Sequence, residues 1–327
     1  MKPTVAVVGA GMAGLVCARE LDAAGYSATV FDKGKSPGGR LAARRLPLVS
    51  FDHGAQYVTA RLTDFRAYLD LAEDAGLVAR WWPITDSPGD RPQPDNPWFV
   101  GVPGMSALGR PLAAGLDLRQ QVRIAAIERE RGGWSLLSVS GDSLGPYGAL
   151  VLAVPAPQAL DLCEDFPEFT APLAEVEMAA CWALMLAFRD RLDVPWDVCR
   201  PRRGPLAWVA RNSSKPGRPS GWDTWVLHAS AEFSATQLET TEDEVSEQLL
   251  ESFRQMSGTR GAPQLATAHR WRYARVTNPL GLPYVWNDDL RLGICGDWCL
   301  DARVEAAWSS ARGLAAEILA RQPAGIT

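Results

Sequence analysis

Thr4 to Val8 is a short apolar and β-branched run that stops at Gly9-Ala10-Gly11-Met12-Ala13-Gly14. Leu15, Val16, Ala18 and Leu21 then recur at helical spacing as far as Gly25, and Ser27 to Asp32 reads as a second strand. Strand, glycine turn, helix and strand within 32 residues match the first βαβ unit of a dinucleotide-binding fold. Each glycine has its own task. Gly9 permits the tight turn, Gly11 lets the backbone approach a pyrophosphate, and Gly14 lets the helix pack closely on the strand. The helix start at Met12 and Ala13 offers unpaired N–H groups and a partial positive charge, while Asp32 can accept hydrogen bonds from ribose hydroxyls.

The next residues, Asp32-Lys33-Gly34-Lys35-Ser36-Pro37-Gly38-Gly39-Arg40, set a glycine pair and a guanidinium one short loop beyond the ribose acid. A loop of this kind can fold back over the pyrophosphate, where Arg40 offers paired donors to phosphate oxygens. The same glycines argue that Lys2 and the apolar stretch Val5 to Ala18 are not a secretory leader.

With 327 residues, 47% of them hydrophobic and 22% charged, the chain is long enough for two domains or one large α/β unit, and wholesale disorder is excluded. A formal net charge of −5 gives no overall basic field for a nucleic acid, and no apolar run reaches the length of a membrane span. Six cysteines without a CxxC pair or a Cys/His cluster give a metal site no support and point to reduced thiols in the cytoplasm.

Gln121 to Arg129, Trp134 to Ser140 and Ala149 to Val154 read as successive strands, and Asp64 to Ala79 and Met105 to Leu116 as helices. From about residue 160 the texture changes. Strands are expected at Cys181 to Phe188, Trp222 to Ala229 and Ala266 to Tyr273, with a helix at Thr241 to Met256. Leu290 to Cys295, the turn Gly296-Asp297 and a helix from Arg303 to Arg321 return the chain to its first domain. The expected architecture is α/β (α+β), with a discontinuous Rossmann-like nucleotide domain over 1–80, 100–160 and 288–327 and a second sheet-and-helix substrate domain over 81–99 and 161–287. Between them the sequence carries a Pro-rich loop (Pro88, Pro92, Pro94, Pro97) and a basic stretch. The latter holds Arg200, Arg202, Arg203, Arg211, Lys215 and Arg218 with no acid among them, and reads either as a solvated loop or as a phosphate-attracting rim.

The sequence GxGxxG, acid, GGR resembles the amino-terminal FAD motif of the flavin amine oxidase and protoporphyrinogen oxidase superfamily. Gly296-Asp297-Trp298 followed by Arg303-Val304-Glu305-Ala306-Ala307-Trp308 resembles its second FAD motif. The resemblance implies noncovalently bound FAD, with Asp297 on the ribityl chain and the helix start at Val304 facing the flavin pyrimidine ring. It also implies that Val122 begins the strand giving backbone hydrogen bonds to adenine. Five further segments resemble the renalase family, above all its bacterial members: Asp52-His53-Gly54-Ala55-Gln56-Tyr57-Val58-Thr59-Ala60-Arg61, Trp98 to Met105, Trp208 to Arg218, His269 to Ala274 and Gly296 to Cys299. The chain departs from the pattern at Asp301-Ala302 and Ala306, where the family carries Gly-rich sequence.

Renalases oxidise the 2- and 6-dihydro isomers of NAD(P)H. The resemblance implies that hydride passes to flavin N5, that NAD(P)+ leaves and that O2 is reduced to hydrogen peroxide, with a dinucleotide and O2 as the only partners and no acid or base required. It places Gln56 and Tyr57 on the flavin side, His228 and Trp271 as a polar and a stacking wall at the reacting ring, and Trp98, Phe99, Met185 and Arg303 on the substrate. Arg61 and Phe65, four apart near a helix start, would share a face toward the substrate. Flavin amine oxidases set a lysine against the flavin through a water. Of the four lysines here, three lie at the nucleotide end and Lys215 falls in a Pro/Gly/Ser loop expected at the surface. A flavin amine oxidase of another small molecule and a non-catalytic flavin-binding protein remain the alternatives.

Overall fold

The computed structural model describes residues 2–321; position 1 and positions 322–327, the outer ends of the nucleotide domain as divided above, lie outside the described residues. The chain forms two compact units, each assembled from separate stretches. Met1–Gly39, Gly109–Met178 and Val276–Thr327 make the first, and Arg40–Leu108 with Ala179–Arg275 the second.

The first unit is Rossmann-like. Its six-stranded sheet runs, edge to edge, Val285–Asn287, Leu292–Ile294, Ala149–Leu152, Thr4–Val8, Ser27–Asp32 and Asp117–Gln120. All neighbours are parallel except the first pair. The helix Met12–Ala23 follows the first strand and packs on the helix Val304–Ala320. Strands covered on both faces read as continuous apolar runs rather than alternating ones, and Ala149–Leu152 is buried at all four positions. A three-stranded antiparallel sheet, Ile124–Glu130, Gly133–Ser138 and Ser143–Tyr147, adds Ile127, Trp134 and Leu136 to a core that also holds Phe31, Leu150, Phe169 and Trp298. Burying each large apolar side chain of this kind contributes about 1.5–3 kcal/mol.

The second unit is built on a five-stranded sheet in the order Val198–Cys199, Leu206–Arg211, Asp223–Ala229, Glu177–Phe188 and Leu265–Asn278. The helix Glu242–Ser257 lays Val245, Leu249 and Phe253 into the core formed with Leu184, Leu186, Trp225 and Leu227. A capping box starts that helix, with Thr241 accepting from the Glu244 N–H and Glu244 reaching back. Gly258 ends it at φ 71°.

Several local expectations are corrected. The helix expected over 64–79 ends at Asp74, and Val78–Trp81 is a strand paired with Trp98–Gly101. Met105 to Leu116 is a 3-10 turn, Met105–Gly109, followed by one short helix, Arg110–Ala113, because Gly109 and Pro111 interrupt a longer one. Asp117–Gln120 is then an edge strand of the main sheet, in a stretch to which the sequence reading assigns no element. Gln121 adopts φ 59°, so the strand expected from 121 begins at Ile124 and Val122 lies before it.

Candidate active site

In the first unit the site is made almost wholly of backbone. Gly9 sits at φ 108°, where a Cβ would come within 2.6 Å of the Ala153 carbonyl oxygen, and a Cβ on Gly14 would overlap the carbonyl oxygen of Gly9. A Cβ on Gly11, by contrast, would meet no protein atom within 4 Å. The peptide edge at Gly11 therefore borders open space at the start of a helix that has no side-chain cap and no acid in its first turn. An anionic group fits there, because the first-turn N–H groups of Met12, Ala13 and Gly14 need acceptors.

Asp32 is held beside this turn. Its Oδ2 accepts from Ala10 N and its Oδ1 from Gly34 N, both at 2.6 Å, so the carboxylate is fixed by main chain before any ribose arrives. The loop after it does return. Gly38 N donates to Ala10 O at 2.8 Å, and a Cβ on Gly39, at φ 52°, would lie 3.2 Å from the Gly11 Cα. Lys33 beside Asp32 is exposed at the surface, yet partial desolvation, then the nearby Arg123, lower its pKa against the pull of Asp32. Val122 N donates to Asp32 O at 2.9 Å, so that N–H is already used.

At the other end of the chain, Asp297 is buried in a single 3-10 turn, and the Gly296 N–H donates to Ser310 Oγ at 3.0 Å. The helix beginning at Val304 has no side-chain cap at Arg303, and Arg303 pairs with the buried Glu305. Bare peptide at Gly11, two uncapped helix starts and the pinned Asp32 together fit the phosphates, ribose and ring of FAD.

The second unit carries side chains instead. His53 follows the strand Ser50–Phe51, and its carbonyl oxygen accepts from Trp271 Nε1 at 3.0 Å and from His228 Nε2 at 3.2 Å. The His53 ring lies 5.1 Å from Trp271 and 4.8 Å from His269, and His269 lies 4.6 Å from Trp271. Gln56 Nε2 is 3.5 Å from His228 Nε2. Burial, then the neighbouring His269, Arg44 and His228, push His53 down to about 3 against the pull of Asp52. Burial, followed by Lys215, pushes His228 down to about 4 against its bond to His53 O. Both imidazoles are therefore neutral at pH 7.

Behind this wall lies a buried ionic network. Asp52 accepts from Met105 N at 2.8 Å, from Lys215 Nζ at 3.1 Å and from Arg218 Nη2, and Lys215 Nζ also donates to Gln56 Oε1 at 3.1 Å. Burial pushes Asp52 up, but the charges of Lys215 and Arg218 outweigh it and hold the carboxyl below its ordinary value. Burial brings Lys215 down to about 8, with Asp52 pulling the other way and the Arg218 cation adding to the fall. Lys215 is thus not on the surface as expected. The solvated-loop reading of the basic stretch fails likewise for Arg211, Lys215 and Arg218, which are buried against carboxylates, and Leu206–Arg211 is a strand, whereas Arg202 and Arg203 are exposed as that reading has them. Nothing local in the sequence marks the Asp52–Lys215–Arg218 group; the one hint is that six cations without an acid must find partners far away.

His228, Trp271 and Gln56 are brought together, and Tyr57 stacks on Trp98 at 3.9 Å. Arg61 and Phe65 do not share a helical face, because the helix starts at Thr63 and Arg61 precedes it exposed while Phe65 is fully buried. Phe99 is buried, and Met185 packs with Phe51 and Val226 in a small core. Arg40 Nη1 donates to Ala274 O at 3.2 Å. All six cysteines are free. Among the described residues there is no group of three or more His, Cys, Asp or Glu able to hold a metal, and no helix long and apolar enough to cross a membrane.

Residues 7–71 match the NAD(P)-binding Rossmann-like domain, and residues 90–319, more than two thirds of the chain, match the flavin-containing amine oxidoreductases. Among solved structures the chain is similar to one described as "Putative protoporphyrinogen oxidase from Exiguobacterium sp. 255-15" (13% identity, 98% of this chain and 100% of that one, TM-score 0.79). It is also similar to wild-type putrescine oxidase bound to putrescine (13%, 98% and 100%, 0.72) and to cyclohexylamine oxidase from Brevibacterium oxydans IH-35A (12%, 97% and 99%, 0.75). Identities this low speak for the shared fold alone. The match over residues 90–319, joined to a backbone cradle that fits FAD, establishes that the chain belongs to the flavin-containing amine oxidoreductase family and is an FAD-dependent oxidoreductase.

Proposed function

We propose that the chain is an oxidase of isomeric dihydronicotinamide dinucleotides, the 2- and 6-dihydro forms of NAD(P)H, as in the renalase family. The observation that carries this reading is the neutral wall of the second unit. Residues from three distant segments, His53 and Gln56, His228, and His269 with Trp271, gather around the His53 carbonyl, and the imidazoles of His53 and His228 are uncharged at neutral pH.

A dihydronicotinamide that gives up hydride becomes an aromatic cation without losing a proton from the reacting carbon, so no side chain need act as a base. Charged imidazoles would oppose the positive charge developing on that ring; neutral ones do not. Trp271 is held by its indole N–H on His53 O and offers a fixed flat face for stacking, while His228 is held at the same oxygen through Nε2. FAD, when bound, would supply the two-electron acceptor, and O2 with a proton from solvent would be the oxidant that leaves as hydrogen peroxide.

In aerobic turnover of 6-dihydroNAD(P), NAD(P)+ and hydrogen peroxide are expected in equal amounts. Failure to form NAD(P)+, with putrescine or cyclohexylamine oxidised instead, would overturn the reading. That outcome is the second reading, a small-molecule amine oxidase, which the burial of Lys215 and its pKa near 8 favour.

A further inference from the structure

The cations of the Arg200–Gly221 stretch divide by their surroundings. Arg211, Lys215 and Arg218 are buried in ion pairs, and Arg202 and Arg203 are exposed on a turn. Arg200 does neither. Its guanidinium lies 4.6 Å from the Trp208 ring, 5.7 Å from Trp98 and 6.0 Å from Tyr57. Tyr57 and Trp98 are stacked, and Trp208 is tilted against both at 5.6 and 5.8 Å.

Tyr57 and Trp98 turn their faces to each other, so the guanidinium meets a ring face at Trp208 and the rim of the stacked pair at Tyr57 and Trp98. Arg200 Nη2 donates to the Tyr57 hydroxyl at 2.6 Å. Its Nε and the Trp208 indole N–H are buried and make no hydrogen bond among the described residues. The carboxylate of Asp90 is 3.8 Å away, and the two side chains keep 38% and 35% of their exposure, so this pair is weak. Rings cover a guanidinium's plane and leave its N–H edge, the fork that matches phosphate oxygens.

We infer that Arg200, seated in the Tyr57–Trp98–Trp208 box, is the anchor for a phosphate group of the donor and sets the specificity of the second unit for phosphate-bearing donors. The inference rests on the dinucleotide reading above and deepens it.

The test uses the FAD-loaded protein and its Arg200→Ala and Arg200→Lys variants, with ADP-ribose binding read by tryptophan fluorescence. KM and kcat are read for 6-dihydroNAD and for the corresponding dihydronicotinamide riboside, which has no phosphate. Arg200→Ala should weaken ADP-ribose and raise the dinucleotide KM by about 10- to 100-fold with kcat held, and leave the riboside unchanged. Arg200→Lys should recover only part of the loss, because a point charge lacks the fork. The anchor is overturned if wild type binds no ADP-ribose, if Arg200→Ala binds it as wild type does, or if dinucleotide and riboside suffer equally, as a purely structural brace would dictate. Arg200-dependent ADP-ribose binding without turnover of any dihydronicotinamide would instead sink the dinucleotide-oxidase reading and keep the anchor.

Discussion

At Gly11 the first unit presents bare peptide to open space, whereas at Asp52 the second unit buries a carboxylate between Lys215 and Arg218. The first region works by what is missing: side chains at Gly9, Gly11 and Gly14, a cap on the helix, acids in its first turn. The second works by side chains drawn from residues 52–57, 211–228 and 269–271. A backbone site of the first kind tolerates almost no added atoms, while a site of the second kind depends on keeping charges paired and imidazoles neutral.

The sharpest way to break that contrast is within the glycine turn. Gly14→Val would drive a side chain into the Gly9 carbonyl, and no folded protein is expected from it. Gly11→Val points into open space, so the apoprotein should keep the wild-type melting temperature while FAD affinity falls by on the order of 100-fold or more. Melting curves beside the absorbance of flavin released on denaturation check both. A Gly11→Val protein that stays fully yellow would mean the pyrophosphate lies elsewhere.

In the second unit the largest effect belongs to Asp52→Ala. It strands two buried cations and should cost about 3–5 kcal/mol in urea unfolding. Lys215→Met leaves Asp52 with Arg218 and should cost less. Equal losses would mean that Arg218 does not share the load.

The pH dependence is smaller and has a definite sign. His53 and His228 titrate near 3 and 4 in the folded chain, below their ordinary 6.5, so in that window the unfolded chain binds protons that the folded one refuses. Their stabilising contribution is complete above about pH 6.5 and is lost as pH falls toward 4, by roughly 3 kcal/mol for His228. His228→Gln should flatten that part of the stability profile.

What the sequence made legible follows the same division. A glycine motif is local, and Gly9, Gly11, Gly14, Asp32 and Gly39 could be placed because each answers to backbone sterics within one βαβ unit. Lys215 could not be placed. Its loop composition reads as surface, and only the partner Asp52, 163 residues earlier, explains its burial. The same blindness to distant partners hid the strand Leu206–Arg211 inside a run of arginines and made Arg61 and Phe65 look like helical neighbours across the helix start at Thr63. Gln121, at φ 59°, ended a strand pattern that its apolar neighbours continue.

The most direct measurement is anaerobic stopped-flow reduction of the bound flavin by 6-dihydroNAD(P) and, separately, by putrescine. Rapid bleaching by the dihydronicotinamide is expected, at a rate flat between about pH 5 and 7 because His53 and His228 titrate below that range and Lys215 above it, with no bleaching by the amine. Bleaching by putrescine that quickens with pH, with the dihydronicotinamide inert, would contradict it.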